Sequence, residues 1–152
     1  IGIYIFFVIN FFPGSLNQKF KDRIMTNNAN GYQLAKWANK ILDKNDVLLS
    51  THRSISLFNN KTFSFQFTWN IDNKDIRSKI YYDFLKSKKV NKIIFYGDKL
   101  EKNIFTKCLG KQLAYKHDVG RHVGRNPFNR GDYYNGWIFE FNHSHLPNCL
   151  SR

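Results

Sequence analysis

Two helical segments bracket one apolar strand, and that pattern constrains the fold of this chain more than any other feature. After Asp72, the positions Ile76, Ile80, Tyr81, Phe84 and Leu85 fall on one side of a helix, with Lys and Arg on the other. The run "NKIIFYG" (91–97) reads as the next strand. Leu100, Ile104, Phe105, Cys108 and Leu109 then repeat the helical spacing, and Gly110 is expected to close that helix. A strand entered and left through helices is placed in its sheet by crossovers, which make parallel neighbours.

The remaining segments extend this frame. From Tyr32, the positions Leu34, Ala35, Trp37, Ala38, Ile41 and Leu42 follow helical spacing, with Asn30 as expected N-cap and "DKND" (43–46) as the stop. "DVLLS" (46–50) reads as a buried strand, and the polar turn "NNK" (59–61) separates it from "TFSFQFT" (62–68). Alternation puts Phe63, Phe65 and Phe67 on one face of that second strand. "KQLAYKH" (111–117) and "GWIFEFN" (136–142) supply two more strands, the latter with Trp137, Phe139 and Phe141 on one face. The order αββαβαββ predicts an α/β fold: a small layered domain whose mixed, partly parallel sheet is flanked by about three helices.

The chain opens on "IGIYIFFVINFF" and then Pro13-Gly14-Ser15. A membrane-spanning helix needs about 20 apolar residues, and this run has only a dozen. Residues 1–13 are expected to be the end of a truncated transmembrane helix, residues 14–29 a linker, and residues 30–152 one α/β soluble domain. A buried element of the domain and a signal-peptide core are the alternatives for the opening run. With 152 residues, a second domain is not expected.

The formal charge of +13 suits phosphate-rich partners such as nucleic acid or an anionic membrane. Lysine accounts for much of it, with 17 residues against 7 arginines, alongside abundant Asn, Ile, Phe and Tyr. That combination is what an AT-rich coding sequence produces, so the lysines read mainly as solvated surface, and nucleic acid is not the expected partner.

Arginine is distributed differently. "VGRHVGRNPFNRG" (119–131) gathers Arg121, Arg125 and Arg130 among glycines. Guanidinium forks grip phosphate or carboxylate in a fixed orientation, and glycine lets backbone amides turn inward, so the segment is a candidate anion clamp. It carries neither G-x-G-x-x-G nor G-K-[ST]. The alternative is a surface hairpin whose arginines pair with Asp118, Asp132 or lipid headgroups. Ligands of open α/β sheets gather beyond the carboxyl ends of the strands, which adds His52 and Arg53 after the first strand and Asp98 and Lys99 after the third.

No catalytic constellation is apparent. Glu101 and Glu140 are the only glutamates, and no nucleophile elbow or Ser-His-Asp spacing occurs. If buried, His52 or His117 reads as a satisfied core histidine. His143, His145, Cys108 and Cys149 could in principle ligate zinc, but without a Cys-x-x-Cys no metal centre is predicted, and no cofactor is expected. Cys108 and Cys149 could pair only with each other, and two unrelated thiols are the equal alternative.

The stretch "ANGYQLAKWANKILDKNDVLLSTHRSISLF" (29–58) resembles the start of the soluble C-terminal domain that follows the last membrane span in GT-C glycosyltransferases. These are polytopic enzymes using lipid-phosphate sugar donors, including mannosyltransferase-like and aminoarabinose-transferase-like proteins. "VNKIIFYGDK" (90–99) and "NGWIFEFN" (135–142) are similar to later strands of that domain. The resemblance implies a membrane-tethered, extracytoplasmic (periplasmic) domain, joined to the rest of its polypeptide upstream and non-catalytic by itself. The family's catalytic acid sits in an early loop with no counterpart here. The implied partners are the membrane and a lipid-linked sugar phosphate, and a Cys108–Cys149 bond would suit an extracytoplasmic site. Lys19, Lys21 and Arg23 pull against that sidedness, since basic flanks favour the cytoplasm, but long translocated domains partly escape the rule. A soluble basic nucleic-acid-binding module and a small hydrolase using the crevice are the alternative functions.

Overall fold

The computed structural model describes residues 2–11, 17–53, 55–64, 74–100, 109–121 and 131–143. Three helices come first: α1 (Gly2–Phe11), α2 (Gln18–Asn28) and α3 (Tyr32–Ala38). They are followed by β1 (Val47–Ser50), a single 3₁₀ turn at Ile55–Leu57, β2 (Lys61–Ser64), α4 (Lys74–Ser87), β3 (Lys92–Gly97), β4 (Leu109–Arg121) and β5 (Tyr133–Phe141). The five strands form one sheet in the order β2-β1-β3-β5-β4. Strand β1 runs parallel to β2 and β3, and β5 is antiparallel to both β3 and β4. The fold is therefore the expected mixed α/β sheet, partly parallel.

Period-two alternation sorts the strand side chains onto two faces. On one face Leu49, Ile93, Phe95, Phe139 and Phe141 pack with Leu85 of α4 and with Val90. Phe63 of β2 meets Phe84 of α4 edge-on, with centroids 4.9 Å apart, so α4 covers this face as the crossover between β2 and β3. On the opposite face Leu48, Ile94 and Ile138 pack with Leu34, Ala35 and Ala38 of α3, and Phe58 and Val119 complete the cluster. Since residues on either side of one strand are buried, β1 and β3 read as continuous apolar runs, as strands covered on both faces do.

Two differences from the expected elements have clear causes. The segment expected to be a linker contains α2. Its amino end is closed by Asn17, whose extended backbone lets Oδ1 accept from the Phe20 amide at 2.8 Å. Asp22 then fastens α2 to α3, accepting from the Lys36 ammonium at 2.6 Å and from the Tyr32 hydroxyl. Second, Leu109 and Gly110, read as the end of a helix, begin β4 instead. The rest of that expected helix, including Cys108, lies outside the described residues, as do Phe65 and Phe67 of the second strand.

Smaller shifts occur at α3. Its N-cap is Gly31, not Asn30, in a left-handed conformation with φ of 78° that glycine adopts without strain. The helix ends at Ala38, and Ile41 and Leu42 fall in the following turn. Asn39 closes it onto the connection between β1 and β2, donating to the Leu57 carbonyl at 3.3 Å and accepting from the Asn59 amide at 3.0 Å.

Helix α1 is ten residues long and leaves Ile3, Tyr4, Ile5 and Phe6 exposed. Among the described residues, no helix is long and apolar enough to cross a membrane.

Candidate functional site

The chain leaves β1 toward β2 on one side of the sheet, whereas it leaves β3 for the β4–β5 pair on the other. That reversal between adjacent parallel strands marks a candidate crevice beyond their carboxyl ends, the usual ligand position in open α/β sheets. Because Gly97 of β3 stands opposite Asn135 of β5, and Arg121 of β4 opposite Tyr133, the start of β5 and the end of β4 reach the same edge. His52, Arg53, Asp98, Lys99 and Arg121, far apart in sequence, are thus brought to one end of the sheet. Arg125 and Arg130 lie outside the described residues, as do Cys108 and Cys149.

Backbone bonding fixes the first loop. The Thr51 amide continues the ladder by donating to the Ile94 carbonyl at 3.1 Å, and Thr51 Oγ1 accepts from the Tyr96 amide at 3.3 Å. The fully buried Ser50 hydroxyl folds the chain back, accepting from the His52 amide and donating to its carbonyl, both at 3.1 Å. His52 is partly buried and meets the ring of Tyr96 edge-on at 5.0 Å, while Arg53 is exposed.

Asn135 fixes the second loop. Its Nδ2 donates to the Asp98 carbonyl at 3.0 Å and its Oδ1 accepts from the Asp118 amide at 3.0 Å, joining the exit of β3 to β4. Asp98 Oδ1 accepts from the Lys99 amide at 2.9 Å. Asp98 and Lys99 are exposed.

Arg121 is a strand residue and not part of a free loop. Its guanidinium lies 4.8 Å from the centre of the Tyr133 ring, and Nη2 donates to the Tyr133 hydroxyl at 3.2 Å. Nε is buried without a hydrogen-bond partner among the described residues. The strand extends this far because β4 pairs with Tyr133 and Tyr134 across a register irregularity between Lys116 and Gly120.

Tyr96 and Tyr134 belong to the site but were not singled out from sequence, where aromatic strand residues read as core. Their rings meet at 5.2 Å, and Tyr96 also touches His52. The Tyr96 hydroxyl is buried without a partner among the described residues. Burial, with a smaller contribution from Tyr134, pushes its phenol up to about 12, so it stays protonated at neutral pH. A Cβ at Gly120 would lie 3.3 Å from this hydroxyl and 3.1 Å from Gln33 Cβ, so glycine lets β4 approach both.

Four basic side chains, His52, Arg53, Lys99 and Arg121, thus share this end of the sheet with the carboxylates of Asp98 and Asp118, whose backbones Asn135 joins. No group of three or more His, Cys, Asp or Glu side chains suited to a metal ion occurs among the described residues. Residues 26–152 match the family model described as the DUF1420 C-terminal domain. The chain belongs to that family. The match begins near the end of α2 and takes in the whole sheet, so the crevice of this DUF1420 C-terminal domain lies wholly inside the family's span. No curated protein and no solved structure matches the chain.

Proposed function

We propose that this domain positions the phosphate of a lipid-linked sugar donor, or its acceptor, for the membrane-embedded part of a GT-C-type glycosyltransferase-like protein, and is non-catalytic by itself. The observation that carries the reading is that His52, Arg53 and Lys99 follow the carboxyl ends of the adjacent parallel strands β1 and β3, with Arg121 at the same end of the sheet on the edge strand β4. Cations gathered there suit a phosphate.

Two further observations support the membrane setting. Helix α1 exposes four large apolar side chains in a row, which suits lipid better than water. The family is described as a C-terminal domain, in keeping with a module carried at the end of a longer polypeptide. In this reading the domain lies on the extracytoplasmic side.

The test is equilibrium binding of the 152-residue chain to detergent micelles carrying a polyprenyl monophosphate, against micelles carrying the corresponding alcohol. The phosphate should bind at least about tenfold more tightly, and Arg53→Ala with Arg121→Ala should remove that preference. Equal affinity for the two lipids, or a stronger response to an oligonucleotide than to the lipid phosphate, would overturn the proposal.

A further inference from the structure

A second polar depression lies outside the crevice, on the α3 face of the sheet. It is a groove of about 310 Å³ walled by α2, α3 and β4, within the size range of small-molecule sites, roughly 300 to 1,000 Å³. Lys36, Lys40 and Lys116 line it, against a single lining carboxylate, Asp118. Lys36 on α3 and Lys40 in the turn that follows it both reach the groove. Asp22 already neutralises Lys36 at 2.6 Å, whereas Lys40 and Lys116 have no carboxylate partner among the described residues.

The groove also contains chemistry that a merely solvated lysine face lacks. Trp37 lines it, and its indole is seated by Gly136 of β5, where a Cβ would come within 2.8 Å of Cζ3. Gln33, another lining residue, presents a side-chain amide. Asp118 stands in a left-handed backbone conformation, with φ of 48°, at the irregularity in β4. Non-glycine residues in that region occur where the surroundings hold them, and such irregularities gather beside functional sites. Asn135 is what holds it, by accepting from the Asp118 amide.

We infer that this groove binds a small phosphorylated, hydroxyl-rich molecule, a sugar phosphate. Lys40 and Lys116 take the phosphate, Asp118 and Gln33 take hydroxyls, and the indole of Trp37 lies against the apolar face of the ring. The two free cations give charge, the planar acceptors give selectivity for hydroxyls, and the aromatic surface excludes water from one side of the ligand. The ligand comes either as a soluble sugar phosphate or as the head of a lipid-linked one. The inference stands on the groove alone and does not depend on the crevice at the strand ends.

The experiment follows the indole N–H resonance of Trp37, assigned with Trp37→Phe, in the 152-residue chain in detergent. Glucose 1-phosphate, glucose and inorganic phosphate are the probes. Glucose 1-phosphate should move the resonance saturably, at least about tenfold more tightly than either part alone. Lys40→Ala with Lys116→Ala should weaken it about tenfold with the remaining spectrum unchanged, and Arg53→Ala with Arg121→Ala should leave it within about twofold. A micelle-borne polyprenyl-phosphate sugar that competes identifies the lipid as the source, and failure to compete identifies the soluble ester. An indole that does not move, inorganic phosphate binding as tightly as the ester, or loss of binding in the arginine pair but not the lysine pair would overturn the inference.

Discussion

Asn91 holds Asp46 across two adjacent strands. Its Nδ2 donates to Asp46 Oδ1 at 2.9 Å, while its Oδ1 accepts from the Val47 amide at 2.9 Å. The other Asp46 oxygen accepts from the Asp43 amide at 3.0 Å, and Lys92 stands 3.8 Å from the first. Asp46 is only 7% exposed, so its carboxylate depends on these donors. The cluster sits where β1 and β3 begin, at the opposite end of the sheet from the crevice. Asn91→Leu should therefore cost about 2 to 3 kcal/mol in urea unfolding while ligand binding is unchanged. A loss under about 0.5 kcal/mol would contradict the role given to this pair.

Gly136 is needed for the contact between β5 and α3. A Cβ there would meet Trp37 Cζ3 at 2.8 Å, Leu34 Cδ1 at 3.0 Å and Val119 Cγ1 at 3.1 Å, all buried or half-buried groups with little room to move. Gly136→Ala should lower stability by about 1 to 3 kcal/mol, read from thermal unfolding. An unchanged melting temperature would mean that α3 is free to shift.

The joint between α2 and α3 should respond to acid. The Lys36 ammonium, and after it the Tyr32 hydroxyl, hold the Asp22 carboxyl below its ordinary value. A depressed carboxylate contributes stability that is present above its unfolded value, near 4, and is lost as pH falls through the lower folded one. Lys36 and Tyr32 are raised by the same contact, so their contribution is lost as pH rises past about 10. The stability difference between the protein and Asp22→Ala should be flat from about pH 5 to 9 and shrink on either side. A difference that grows on acidification would contradict the assignment.

Tyr96 supplies an alkaline marker. Its phenol is raised to about 12 mainly by burial, so stability that depends on its proton is present below about pH 10 and lost as pH climbs toward the folded value. Tyr96→Phe removes one late-titrating phenol from a spectrophotometric titration. It should be neutral or stabilising by up to about 1 kcal/mol at pH 7, because the buried hydroxyl has no partner among the described residues. A loss of more than about 2 kcal/mol would show that the hydroxyl is satisfied after all.

Much of the fold was legible because its signals were local. β1 and β3 are apolar runs bounded by polar residues, and α4 follows its apolar spacing from Lys74 to Ser87. Helix α2 was not legible, since Phe20, Ile24 and Met25 make too weak a stripe. What holds it is the Asn17 cap and contacts to α3 that no window along the sequence contains. The extent of β4 was hidden for a similar reason: Val119, Gly120 and Arg121 read as loop and become strand only through pairing with Tyr133 and Tyr134. Of the site, His52, Arg53, Asp98 and Lys99 could be placed because they follow strand ends. The aromatic wall of Tyr96 and Tyr134, and the bridge made by Asn135, depend on which strands become neighbours.

The claim that the carboxyl end of the sheet is a phosphate site is tested most directly by mapping backbone amide shifts as a polyprenyl monophosphate is titrated into the micelle-embedded chain. The account predicts saturable shifts concentrated at Thr51, His52, Gly97, Asp98, Lys99 and Arg121, abolished by Arg53→Ala with Arg121→Ala. Shifts confined to the amides of α1, or equal shifts with the uncharged polyprenol, would contradict it.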